Sequence, residues 1–114
     1  YQLAKKYNVK LAWGTDLLFN PANTKNQNQG ILKLQKWFSN FEILKMVTHD
    51  NAELLALSGA RNPYPGKLGV IEEDAWADLI LVDGDVLKDI TLLGDPEKNF
   101  IMIMKGGEIY KNRV

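Results

Sequence analysis

The sequence has no cysteine. Disulfides, thiolate chemistry and cysteine-ligated zinc are therefore excluded. It has one histidine, His49. A serine–histidine–aspartate triad would have to use it, and a metal site with several imidazoles cannot be built from this chain alone. No sign of charge is in excess, since 14 Lys and Arg balance 14 Asp and Glu. A nucleic-acid binder carries a basic stripe, and a membrane-surface helix sets Lys and Arg opposite an apolar face. Neither pattern occurs, so neither partner is expected. No apolar run approaches the ~20 residues that span a bilayer. The phosphate-cradling patterns G-x-x-x-x-G-K-[ST] and G-x-G-x-x-G are absent. No secretory signal is visible, which is compatible with a cytoplasmic location.

What remains is ordinary globular material, 46% apolar and 25% charged over 114 residues, about one domain's worth. The chain opens on Tyr1-Gln2-Leu3-Ala4-Lys5-Lys6-Tyr7, which reads as the tail of a helix. Leu3 and Tyr7 share a face, and Asn8 closes the turn. A truncated start is therefore expected. Val9 to Trp13 is a short apolar run ending at Gly14 and reads as a buried strand. Asn20 to Gly30 is rich in Asn with Pro21 and Gly30, so a loop is expected, with little apolar surface to offset ordering it. Ile31, Leu32, Leu34 and Trp37 suit a helical turn or two.

Ser39-Asn40-Phe41-Glu42 is a capping box. Asp50-Asn51-Ala52-Glu53 has a similar form, and Gly59 stands where a glycine cap ends a helix. Two consecutive helices are expected, over 40–48 and 51–58. After Gly59 the texture turns to strands and turns. Lys67–Glu72 is a candidate strand, 77–82 a strand covered on both faces, and 100–104 another. Gly106-Gly107 makes a two-residue hairpin turn, with 108–111 returning. The first half reads αβα and the second β, which places a boundary near residue 59.

Among residues that could do chemistry, Asp16 stands out. It follows Gly14-Thr15 just past the C-terminal end of the expected strand, where ligand and catalytic groups gather in barrels and open α/β sheets. A carboxylate there can bind a metal or move a proton. It can equally serve as a turn or cap residue. His49 is a possible ligand or base, or a surface imidazole between helices. Glu72, Glu73 and Asp74 read as a solvated tip, and Asp83 and Asp85 as turn formers. Trp13, Trp37 and Trp76 are expected in the core.

Three stretches together carry a resemblance. Val9-Lys10-Leu11-Ala12-Trp13-Gly14-Thr15-Asp16 resembles the eighth barrel strand of metal-dependent amidohydrolases. Thr48 with Asn51-Ala52-Glu53-Leu54-Leu55 resembles their closing helix. Gly66-Lys67-Leu68-Gly69-Val70-Ile71-Glu72, Ala77-Asp78-Leu79-Ile80-Leu81-Val82-Asp83-Gly84 and Lys105-Gly106-Gly107-Glu108-Ile109-Tyr110 resemble their small β domain. The resemblance implies an α/β fold class: residues 1–58 as the C-terminal piece of a (β/α)8 TIM barrel, and residues 59–114 as part of a composite β-sandwich domain. It implies an enzyme that hydrolyses a C–N bond in an amide, cyclic amide or dipeptide. It also implies one or two divalent metals, zinc foremost, and a small-molecule or dipeptide-like substrate. The family ligands are a His-x-His, often a carboxylated lysine, two further histidines and the aspartate that ends strand eight. Only the last maps here, onto Asp16, whose implied roles are to bind the metal and to relay a proton to the leaving nitrogen. His49 matches no family ligand. Within the family the chain most resembles the imidazolonepropionase-like or prolidase-like group, an alternative the sequence leaves open.

The departures lie around that aspartate. Leu17-Leu18-Phe19 and the following polar loop would cover the substrate end of the barrel, either as a specificity wall or as a surface loop. Val86 stands where the family often has proline. One carboxylate cannot hold a metal that wants three or more protein ligands, so the isolated chain is expected to be inactive. The competing reading is an independent α+β module that docks on a protein partner. It would use the 100–104 edge or the apolar face of helix 40–58. Exposed apolar surface of either origin would favour a homo-oligomer.

Overall fold

The computed structural model describes all 114 residues. Helix α1 (Gln2–Lys6) is short and has no buried residue. It is held by aromatic contact: the Tyr1 ring lies 4.9 Å from that of Trp37 and meets Phe38 edge-on at 5.3 Å. Lys5 donates to the Trp37 carbonyl at 2.9 Å. Asn8 then takes φ +51°, a left-handed turn that asparagine tolerates better than most residues.

The run 9–13 is not a strand in this chain. Its composition suits a strand buried between two others, but no neighbouring strand lies beside it, and a ladder needs a partner. The expected loop at 20–30 is also corrected. Pro21–Asn26 is a 3₁₀ helix that runs into α2, Gln27–Leu32. Proline opens it, where its missing N–H costs nothing. The Asn28 and Gln29 side chains donate to the carbonyls of Leu93 (2.9 Å) and Gly94 (2.7 Å). The polar residues that suggested a loop are thus the ones that tether the segment.

The capping box at Ser39 forms as expected. Its hydroxyl accepts from the Glu42 N–H, and the Glu42 carboxylate accepts from the Ser39 N–H at 2.7 Å. It opens α3 (Asn40–Lys45). The two helices expected after it are in fact one. A π-helical turn, Met46–Asp50, joins α3 to α4 (Asn51–Ala56) without a break in right-handed backbone. Asp50 has helical dihedrals and caps nothing; its carboxylate is turned to Lys45 instead. Gly59 follows with φ +55°.

The sheet is three-stranded and antiparallel, in the order β1 (Leu79–Val82), β2 (Phe100–Lys105), β3 (Glu108–Asn112). Gly106 and Gly107 join β2 to β3 with φ +57° and +83°, the paired positive values a two-residue hairpin needs. Helix α5 (Pro96–Asn99) leads into β2. Lys67–Glu72 forms no strand, only an isolated bridge from Lys67 to Ala75. The expected double cover of β1 is absent, since Ile80 and Leu81 remain about half exposed.

Six residues are buried: Leu34, Ile43, Met46, Ile90, Leu93 and Phe100. They form one cluster, with Leu11, Trp13, Ile31, Val82 and Ile103 among those packed around it. Helices and sheet therefore share one core across residue 59. Trp13 and Trp37 are half-buried, whereas Trp76 is exposed, a correction to its expected core position. Its ring covers Gly66 instead, leaving no room for a Cβ there. The core is small for the chain. The radius of gyration is 14.9 Å, against about 13.3 Å for a compact domain of this length. Phe19, Leu57 and Ile71 stand in solvent. No helix is long and apolar enough to cross a membrane.

Candidate functional site around Asp16

Asp16 lies past the 9–13 segment on exposed chain, with φ +49°. Aspartate reaches this left-handed region more readily than most residues, and a non-glycine held there is worth attention near a site. Its carboxylate takes part in no ion pair. Two clefts of about 580 and 480 Å³ lie elsewhere on the surface, and Asp16 lines neither. The chain therefore presents Asp16 as an exposed oxygen ligand outside both clefts.

The segment leading to Asp16 is held at Trp13. The Trp13 N–H donates to Asn51 Oδ1 at 2.8 Å, and Asn51 Nδ2 donates to the Trp13 carbonyl at 2.9 Å. This two-way exchange has the form of a hydrogen-bonded pair in an antiparallel ladder, with a side-chain carboxamide in place of a strand. The π turn makes it possible. The backbone N–H of Asn51 reaches back five residues to Met46 O. That leaves Val47 O to the Asn51 side chain, at 3.4 Å. On the other side of Trp13, a Cβ at Gly30 would sit 2.9 Å from the indole ring. Helix α2 thus packs directly on that ring. The 66–76 segment also packs on the π turn: a Cβ on Gly69 would fall 2.5 Å from the Thr48 carbonyl oxygen.

Asn51 entered the sequence reading only as part of a motif. The available signal was its chemistry. Asparagine is a poor residue for a helix interior because its side chain competes for backbone groups, and here it does so productively.

His49, Asp50 and Glu53 bring ligand atoms within 4.8 Å of one another. His49 Nδ1 lies 3.2 Å from Asp50 and 3.5 Å from Glu53. Both carboxylates already have ammonium partners, Lys45 on Asp50 and Lys10 on Glu53. Partial burial opposes the charged form of Asp50. The hydrogen bonds and charges of Lys45 and His49 outweigh it, and the carboxyl titrates below its ordinary value. The Lys10 hydrogen bond lowers Glu53 in the same way, and Glu53 raises Lys10 in return. Two carboxylates facing two ammonium groups form a compensated ion-pair network, which a metal would have to dismantle. Asp16 is not a member of this cluster. Glu72, Glu73 and Asp74 are exposed, with Glu72 paired to Lys67, and Asp83 and Asp85 are exposed at their turn.

No family model and no curated protein matches the sequence. Solved structures do. A crystal structure of an amidohydrolase superposes with a TM-score of 0.82 at 30% identity, covering 97% of this chain and 25% of that one. A crystal structure of a prolidase complexed with N-methylphosphonate-L-proline gives 0.80 at 27% identity, with the same two coverages. A third, of an uncharacterized protein, gives 0.78 at 26%. The chain spans about a quarter of the length of each structure it matches.

Proposed function

The chain has an amidohydrolase-like fold, as a piece of it, and on that premise we propose that it is the C-terminal part of a metal-dependent amidohydrolase. Residues 1–58 are read as the last strand and closing helices of the barrel, and residues 59–114 as its segment of the β domain. The observation that carries the reading is the near-complete superposition on two hydrolase structures at 27–30% identity. The uncovered apolar surface supports it as well: Ile80, Leu81, Phe19 and Leu57 are the kind of residues that a larger body covers.

The proposed reaction is hydrolysis of a C–N bond in an amide, cyclic amide or dipeptide-like small molecule. Within it Asp16 has two tasks. One carboxylate oxygen serves as a metal ligand. The carboxylate also takes the proton that the attacking water gives up and hands it to the leaving nitrogen, which departs as the neutral amine. A divalent metal such as zinc, when bound, lowers the pKa of water from about 15.7 to about 7 and so supplies the nucleophile at neutral pH. Asp16 fits one position of such a site, being exposed, outside any ion pair and three residues past the hydrogen-bonded Trp13. It fits no more than one, because the His49 cluster is spent on lysines. The remaining ligands must come from outside these 114 residues, and the chain by itself should be inactive.

The test is the protein made from its complete natural reading frame, assayed on a panel of dipeptides and N-acyl amides. Asp16→Asn should reduce turnover by about 100-fold or more, in line with losing a proton-transfer group, while the circular dichroism spectrum stays unchanged. Wild-type turnover in that variant removes Asp16 from the chemistry.

A further inference from the structure

We propose that Asn51 is the positioning residue for Asp16: its carboxamide fixes the Trp13 backbone, and thereby the place of the aspartate three residues on. The inference rests on the reading of Asp16 as a metal ligand, and its own basis is geometric. An extended segment ending in a ligand needs both its N–H and C=O groups committed, or it can slide and twist. In a sheet the neighbouring strands do this. Here, at Trp13, one side chain does both jobs, at 2.8 and 2.9 Å. The indole of the same residue is set against Gly30, where a Cβ would meet it at 2.9 Å. Trp13 is thus fixed at backbone and ring by two different helices, α4 and α2.

The clamp has a cost that the fold retains. The helix widens to a π turn at Met46–Asp50, a geometry that is rare and frequent at functional sites. The widening frees Val47 O, and the Asn51 amide takes it at 3.4 Å. One Asn51 Nδ2 thus bonds both its own helix and the segment carrying Asp16. Glutamine would reach too far, leucine would bond neither, and aspartate would keep only the bond from the Trp13 N–H.

The experiment uses the full-length protein, with cobalt(II) as the metal probe and amide hydrogen exchange of residues 9–16 as a second readout. Asn51→Leu should speed exchange in 9–16 by about tenfold, the worth of a lost backbone hydrogen bond. It should weaken cobalt binding by about 10- to 100-fold, the usual effect of losing a group that orients a ligand. Asn51→Asp should fall between wild type and Asn51→Leu, and it carries the test if Asn51→Leu fails to fold. Asn40→Leu is the control, since Asn40 makes a comparable side-chain bond to Leu87 O at 2.9 Å but touches nothing near Asp16. It should lower the melting temperature and leave cobalt affinity and 9–16 exchange at wild-type values. Wild-type cobalt affinity in both Asn51 variants overturns the proposal, as does equal weakening by Asn40→Leu. Asp16→Asn separates the two layers. If it abolishes cobalt binding while the Asn51 variants do not, only the positioning role fails. If it leaves cobalt binding intact, the metal reading fails and the proposal falls with it.

Discussion

Replacing Gly69 by alanine tests how tightly the 66–76 segment is seated on the π turn. Two costs add at this position. Gly69 has φ +70°, where an L-residue is penalised by roughly 1–2 kcal/mol. Its Cβ would also fall 2.5 Å from Thr48 O and 2.6 Å from Thr48 C. These are backbone atoms inside a helix, so no rotamer change can clear them, and overpacking of this kind costs typically 1–3 kcal/mol. Gly69→Ala should therefore cost about 2–5 kcal/mol. Gly59→Ala and Gly107→Ala isolate the first term. Both residues have positive φ, +55° and +83°, and neither has an atom within 4 Å of the added Cβ. Each should cost only about 1–2 kcal/mol. Urea unfolding of the three variants, followed by circular dichroism, measures the difference. Equal destabilisation in all three would refute the close approach and with it the rigid seat under the π turn.

Core truncation and acid sensitivity give further tests. Ile43→Ala should cost about 2–5 kcal/mol, because Ile43 is fully buried at the centre of a six-residue core. The exposed Leu57→Ala should stay within about 0.5 kcal/mol; equal effects would mean that the small core is not what holds the chain. Hydrogen bonds from the Ser39 N–H and hydroxyl, together with Lys5, hold the Glu42 carboxyl below its ordinary value. A depressed carboxyl stabilises the folded state above the unfolded-state pKa, roughly 4.3, and that contribution is lost as pH falls through the lower folded-state value. Melting curves from pH 7 to 3 should therefore show a shallower acid loss in Glu42→Gln than in wild type, and parallel curves would contradict the assignment.

Local chemistry made several features legible in the sequence. The Ser39 capping box, the left-handed Asn8 and the Gly106-Gly107 hairpin each depend on residues adjacent in the chain, and each forms. The order of the three resembling stretches also carried the amidohydrolase likeness that the solved structures show. What was not legible depends on distant partners. Val9–Trp13 has the composition of a strand, but composition does not supply a neighbour, and the partner is the Asn51 side chain 38 residues away. The 20–30 segment reads as a loop by its asparagines and folds because Leu93 and Gly94 carbonyls wait 65 residues on. Asp50 has the look of a helix cap, and the lysine that draws it elsewhere lies one π turn back.

The proposed role of Asp16 is that of a metal ligand in a larger hydrolase. Elemental analysis of the protein made from its complete natural reading frame, beside its Asp16→Asn variant, tests this most directly. One or two equivalents of divalent metal per wild-type chain, as implied by the amidohydrolase resemblance, and a marked loss in the variant are expected. A wild-type protein without metal, or a variant that retains the full complement, would contradict it.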